Sequence, residues 1–154
     1  MYLPTTYLFL LAYNYSEPKV FLIPEGYEGA IRIVYEEKCG TTPIDEKGHK
    51  ILSFPSNGIL ILNSKFDGRI NNEYYFVNSR GVKTKINQSF DSKNDAKRFP
   101  VVQVLGAGTM DDGISFSDFY IYNKDTSYNE KYSPFHKFDS LTISEVRFCR
   151  SLKR

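Results

Sequence analysis

The chain has two histidines, at positions 49 and 136, and these are its natural candidates for moving protons near neutral pH. Beside a carboxylate, His49 or His136 could act as the general base of a small hydrolase. The two cysteines, Cys39 and Cys149, allow Cys39/His49 and Cys149/His136 dyads to be written. Neither dyad lies in a nucleophile motif such as G-x-S-x-G. His49 opens a strand beside a turn and His136 lies in a polar stretch, so both read as solvated histidines, and no catalytic residue is assigned. Asp111, Asp112 and Asp118 carry the hard oxygens that calcium takes, but without EF-hand spacing they read as a solvated acidic loop. Gly106-Ala107-Gly108 follows a strand as a dinucleotide loop would. It lacks the third glycine and a following helix to face a phosphate, and it reads as a turn. No metal or cofactor is implied.

Twelve tyrosines are the conspicuous surplus. Tyr27, Tyr74, Tyr120, Tyr122, Tyr128 and Tyr132 exceed what one small core hides. Of these, Tyr27, Tyr120, Tyr122, Tyr128 and Tyr132 are candidates for contact with a protein or glycan, because tyrosine offers rigid area with a polar tip. The alternative of equal weight is that their rings cover the sheet faces while the hydroxyls stay wet.

These groups must be positioned by strands. Aromatic content is 16%, all Tyr and Phe, which favour strands, and Gly, Pro, Asn, Asp and Ser recur between short apolar runs. A length of 154 residues is enough for one domain with a real core. The net charge of +2, with Lys and Arg dispersed, gives no footprint for nucleic acid. No stretch reaches the roughly 20 apolar residues needed to span a bilayer. Cys39 and Cys149 can form one bridge in an exported chain; the reading preferred from the sequence is two unrelated, buried or partly buried thiols.

Lys19–Leu62 organises the rest. KVFLI is a strand closed by Pro24, and Pro24, Glu25, Gly26, Tyr27 and Gly29 form a turn with two glycines free to take φ > 0. AIRIVYEE alternates, with Ile31, Ile33 and Tyr35 opposite Arg32, Val34 and Glu36, the period of a half-buried strand. After a loop over 38–43, Asp45-Glu46-Lys47-Gly48 turns into the strand 49–54. Pro55, Asn57 and Gly58 form a second strong turn before ILIL, a run covered on both faces. Asp67-Gly68 is another turn. Strands at 73–78 and 82–86 pair as a hairpin around Gly81. A polar loop covers 87–98, strands follow at 99–105 and 114–122, and 123–137 is a loop. Ser140 is placed to cap a short C-terminal helix with Leu141, Val146 and Phe148 on one side; SLTISEVRF also fits a strand, and the helix is the preferred reading. The count is about seven or eight short strands, the signature of a sandwich or barrel.

Residues 21–29 (FLIPEGYEG) and the strand after them resemble an uncharacterised bacterial domain family with an IPEG(Y/F)xG signature. Phe54-Pro55-Ser56-Asn57-Gly58-Ile59-Leu60 is similar to the family's I-P-x-x-G-I-L element, and Tyr74–Val77 with Gly81 to its third block. The resemblance covers most of Lys19–Ile86. It implies a small β-domain, often exported or lipid-anchored in its relatives, with no activity or site residues to carry over. A looser likeness, through the Asp45–Gly48 and Pro55–Gly58 turns, is to transthyretin-like domains such as carboxypeptidase regulatory modules.

The expectation is an all-β antiparallel sandwich, transthyretin-like or immunoglobulin-like, with a short C-terminal helix. It occupies residues 19–154 as one domain. Residues 1–18 carry an apolar run from Tyr7 to Tyr13 with no preceding Lys or Arg. That run reads equally as a degraded or truncated export signal or as an N-terminal strand or misassigned start codon. Leu10-Leu11-Ala12 suits a lipobox, but Tyr13 stands where the lipidated cysteine must be. The expected role is a non-catalytic module binding protein or glycan, or accessory, at the bacterial envelope or exterior. A hydrolase and a cytoplasmic domain are the alternatives.

Overall fold

The computed structural model describes residues 18–66, 72–89, 99–122 and 135–152, apart from the side chain of His136. Met1–Tyr15, the Asp67-Gly68 turn, Tyr128 and Tyr132 lie outside these residues. The elements are β1 (Lys19–Pro24), β2 (Gly29–Tyr35), β3 (Ile44–Glu46), β4 (His49–Ser53), β5 (Ile59–Ile61) and β6 (Asn72–Val77). There follow β7 (Lys83–Ser89), β8 (Val101–Met110), β9 (Ile114–Tyr122) and one described helix, α1 (Phe135–Ser151). The strands form one nine-stranded sheet in the order β3-β4-β1-β6-β7-β8-β9-β2-β5.

The β-rich class and the C-terminal helix hold. The antiparallel sandwich does not: the sheet is single, mixed and curled into a half-barrel. β1 runs parallel to both β4 and β6, β2 parallel to β5, and β7 parallel to β8. The reason lies in the two Pro/Gly turns. Each joins strands that do not pair with each other, so each is a corner and not a hairpin. The first corner carries the chain from β1 to β2, and the second from β4 to β5. Because β4 lies beside β1 and β5 beside β2, the corners run side by side and bring the two ends of the sheet together. The amide of Phe54 donates to the Leu22 carbonyl at 2.8 Å on one side of the corners, and that of Arg32 to the Gly58 carbonyl at 2.8 Å on the other. The Tyr27 hydroxyl donates to the Ala30 carbonyl at 2.6 Å and sits against Gly58.

Alternation along β2 then decides which layer each residue joins. Ile31, Ile33 and Tyr35 face the concave core with Phe21, Ile23, Leu52, Tyr74 and Phe119. Rings from strands three places apart meet across the curl, Tyr74 and Phe119 at 6.0 Å between centroids. The opposite face of β2 is not solvated as a half-buried strand's would be. Ala30, Arg32 and Val34 are buried too, and Val34 packs with Ile59, Ile114 and Val146 of α1.

Two hairpins match their turn chemistry: β3–β4 across Lys47 and Gly48, and β6–β7 around Gly81, where Asn78 Oδ1 accepts from two turn amides at 3.0 Å. β3 falls where no strand was expected, a short exposed edge. Three other expectations change. Asn87–Ser89 extend β7 instead of starting the polar loop. Gly106-Ala107-Gly108 is not a turn but the middle of β8, just past a bulge between Val104 and Gly106, with Gly108 under the Phe116 ring. In α1, Ser140 is an interior helical residue and not a cap. Thr142 and Val146 face the sheet while Leu141 and Phe148 face water, so Leu141, Val146 and Phe148 do not share one side.

Gly58 has φ +75°, and a Cβ there would lie 2.2 Å from the Tyr27 hydroxyl oxygen and 2.8 Å from the Ala30 carbonyl oxygen. Strain and overpacking therefore act together, and Gly58→Ala is expected to lose about 3 kcal/mol. Gly26 (φ +77°) faces open space, and Gly26→Ala should lose only about 1 kcal/mol. Urea midpoints of the two variants check the order; equal losses would remove the packed-corner explanation.

Candidate functional site

Two places in the described structure hold more than packing. The first is a buried charge cluster under α1. Arg32 is 1% exposed, and its register partner on β9 is Asp118. Its guanidinium grips that carboxylate with two prongs, Nε to Oδ1 at 2.6 Å and Nη2 to Oδ2 at 2.9 Å. Nη1 donates to Asp139 Oδ1 at 2.8 Å and to Thr142 Oγ1 at 3.2 Å, both on α1. The Phe116 ring lies 4.3 Å below the guanidinium carbon, a cation–π contact. Burial pulls the Arg32 pKa down, but the hydrogen bonds and charges of Asp118 and Asp139 carry it above its ordinary value. Burial pushes the Asp118 carboxyl up against the opposing pull of Arg32. Because both carboxylate oxygens accept from the fork, the cluster is a charged clamp holding helix to sheet.

The far end of α1 is fastened covalently. Cys149 is disulfide-bonded to Cys39 in the loop after β2, with Cα atoms 5.6 Å apart across 110 residues of sequence. The two cysteines are thus not independent thiols, and no free thiol exists for a Cys39/His49 or Cys149/His136 dyad. Next to the bridge, Arg150 takes Glu37 in a second fork at 2.9 and 2.6 Å, and Arg147 meets Asp112 at 2.8 Å. The Glu37 hydrogen bonds raise the Arg150 pKa.

The second place is a cavity of about 180 Å³ in the concave face of the sheet. Its walls are Phe21 of β1, Tyr35 of β2, Leu62, and Phe119 of β9, with Phe66 and Ala107 at the rim. The space exists because β8 presents Gly106 and Ala107 here and β9 presents Ser117, none with a large side chain. Its polar side chains are few: Lys19, Tyr35, Asn72 and Ser117. The Tyr35 hydroxyl and Ser117 Oγ satisfy each other at 2.6 Å. Asn72 lines the cavity and donates from Nδ2 to the Tyr74 hydroxyl at 3.1 Å, while its Oδ1 is buried with no hydrogen-bond partner among the described residues. Burial raises the Tyr74 pKa well above the usual phenol range, so that hydroxyl stays neutral.

The residues singled out from the sequence are scattered. Pro24, Glu25, Gly26, Tyr27 and Gly29 build the first corner and Pro55, Asn57 and Gly58 the second, where Asn57 Oδ1 accepts from the Ile59 amide at 3.1 Å. Tyr120 and Tyr122 are not surface contacts: they are 7% and 3% exposed and pack with Phe135 and Phe138 of α1. Tyr74 is likewise core, and Tyr27 is half-buried. His49 bonds through Nδ1 to the Lys47 carbonyl at 3.2 Å and lines none of the described cavities. Asp118 serves Arg32 and Asp112 serves Arg147, so the acidic trio does not gather, and no group of metal-binding side chains forms among the described residues. Arg32 and Asn72 carry no sequence signal of function; the role of Arg32 arises from partners far along the chain.

Residues 15–132 match the model of a family described only as a family of unknown function (DUF6843). A search of curated proteins finds no match. Among solved structures, the chain is similar to a candidate lipoprotein from Bacillus anthracis. The two share 21% identity and superpose with a TM-score of 0.61 over 84% of this chain and 93% of that one, a likeness of fold.

Arg32→Ala strands Asp118 in a buried site and is expected to lower stability by about 3–5 kcal/mol. The double variant Arg32→Met/Asp118→Leu should regain most of that loss, since replacing a whole buried pair is nearly neutral. Reducing the disulfide should cost about 4 kcal/mol, from freeing a loop of roughly 100 residues. Chemical denaturation of each form, with and without reductant, measures all three; an Arg32→Ala loss under 1 kcal/mol would contradict the clamp.

Proposed function

The chain belongs to the family of unknown function whose model it matches over residues 15–132, and for it we propose a non-catalytic binding module working outside the cytoplasm, at the bacterial envelope or exterior. The observation that carries this is the Cys39–Cys149 bridge. Disulfides persist where thiols are oxidised and are rare in the reducing cytosol. Here the bridge fastens the helix that covers β2, so the fold is at full strength only in an oxidising compartment. The kinship of fold with a candidate lipoprotein supports the same placement. No helix of the described residues is long and apolar enough to cross a membrane.

A binding role is supported by the concave-face cavity, whose mostly apolar walls carry a few oriented polar groups, the usual make-up of a ligand site. A protein or glycan partner held by exposed tyrosines loses part of its ground with Tyr120 and Tyr122 buried. The hydrolase alternative gains no support from His49, whose hydrogen bond goes to a backbone carbonyl.

Compartment is tested by trapping thiols with a mass-adding maleimide in fractions of the producing cell. The expected result is chain in the envelope or exterior fraction that shifts only after reduction. A cytosolic chain labelled at both cysteines without reductant would overturn the proposal.

A further inference from the structure

Asn57-Gly58 is the one Asn-Gly pair in the sequence. Such a pair can rearrange without an enzyme, because glycine puts no side chain in the way of ring closure. The Gly58 nitrogen loses its proton to solvent base and attacks Asn57 Cγ. The N–Cγ bond forms, the Cγ–Nδ2 bond breaks, and Nδ2 leaves as ammonia. Water then opens the cyclic imide. Opening at Cγ leaves aspartate; opening at the main-chain carbonyl carbon leaves isoaspartate, whose backbone runs through Cβ and Cγ and is longer by a carbon.

In the second corner both partners of that step are held. Gly58 is buried and its N–H donates to the Pro55 carbonyl at 3.0 Å, so the nucleophile is occupied. Asn57 is exposed, but its carboxamide is fixed from both sides. Its Oδ1 accepts from the Ile59 amide at 3.1 Å, and its Nδ2 donates to Glu145 of α1 at 3.4 Å. Nor is there room for the product. Gly58 sits against the Tyr27 hydroxyl, the Ala30 carbonyl and the Phe138 ring of α1, and its own carbonyl accepts from the Arg32 amide at 2.8 Å. A lengthened backbone breaks this packing, and a carboxylate at position 57 faces that of Glu145. The corner is also tied to the disulfide. Pro55 and Ile59 wall the same surface cleft as Cys39 and Cys149, and Phe138 and Glu145 lie on the helix that the bridge fastens.

We propose that Asn57-Gly58 is a site of spontaneous deamidation that the oxidised fold keeps shut and that loss of the Cys39–Cys149 bridge opens. A chain that has once opened there is permanently marked.

The test incubates the full chain at mildly alkaline pH in three forms: oxidised, reduced and urea-unfolded. The Asn57 peptide is then read by mass spectrometry for replacement of the amide NH2 by OH. Only opened molecules react, so the oxidised chain should convert at least about a hundredfold more slowly than the unfolded one. The reduced chain should convert at least about tenfold faster than the oxidised. No conversion in the unfolded chain would overturn the site, and equal rates in oxidised and unfolded chains would overturn the protection. Equal rates in oxidised and reduced chains would overturn the role of the bridge. Where circular dichroism shows the reduced chain unfolded, Glu145→Ala in the oxidised chain replaces it. A rate raised about threefold or more there supports the hold of α1 on Asn57, and an unchanged rate overturns it. Converted chain, refolded and reoxidised, should unfold at lower urea than unconverted chain; equal midpoints would overturn the exclusion of the product.

Discussion

The constraint on which the architecture depends is that β2 is buried on both faces while carrying a charge in its middle. Ile31, Ile33 and Tyr35 fill the concave core, and Ala30, Arg32 and Val34 lie under α1. A buried guanidinium is tolerable only with its hydrogen bonds and counter-charges in place. Asp118 supplies them from the neighbouring strand, and Asp139 and Thr142 supply them from the helix. Removing the helix would therefore uncover apolar surface and break a charge cluster at once. The helix brings apolar surface of its own, Phe135, Phe138, Ile143 and Val146 packing on the sheet, and the clamp at Arg32 and the bridge at Cys149 fasten it there.

The two corners are the second structural device. Turn chemistry in the Pro24–Gly29 and Pro55–Gly58 segments was legible from residue types, because proline fixes φ and glycine opens the left-handed region. That such turns would be corners was not legible. Local turn chemistry reverses or bends a chain without saying which strands then pair, and β1 finds its partners in β4 and β6, 30 or more residues on. The sheet was therefore expected as antiparallel layers and is instead one mixed sheet. The same limit hid the strand through Gly106–Gly108: glycines that read as a break sit beside a bulge and under Phe116, where close approach and not reversal explains them.

Legibility was poorest where function is argued. Arg32 in an alternating strand reads as a solvent-facing residue. The hint that it is not lies in its same-parity neighbours Ala30 and Val34, both apolar. Residue type alone leaves the tyrosines open between contact with a partner and rings covering the sheet faces; Tyr74, Tyr120 and Tyr122 are in the cores on the two sides of the sheet. The cavity draws its walls from β1, β2, β6, β8 and β9 and the segment after β5, so no spacing in the chain announces it.

Sheet and helix are, in this account, a single cooperative unit welded at Arg32 and at the disulfide. Site-resolved amide hydrogen exchange on the oxidised chain measures that directly. The amides of Ile31–Tyr35 and those of Thr142–Val146 should exchange at the same slow rate, set by global unfolding. Helix amides exchanging orders of magnitude faster than those of the strand beneath would show α1 opening on its own and would contradict the account.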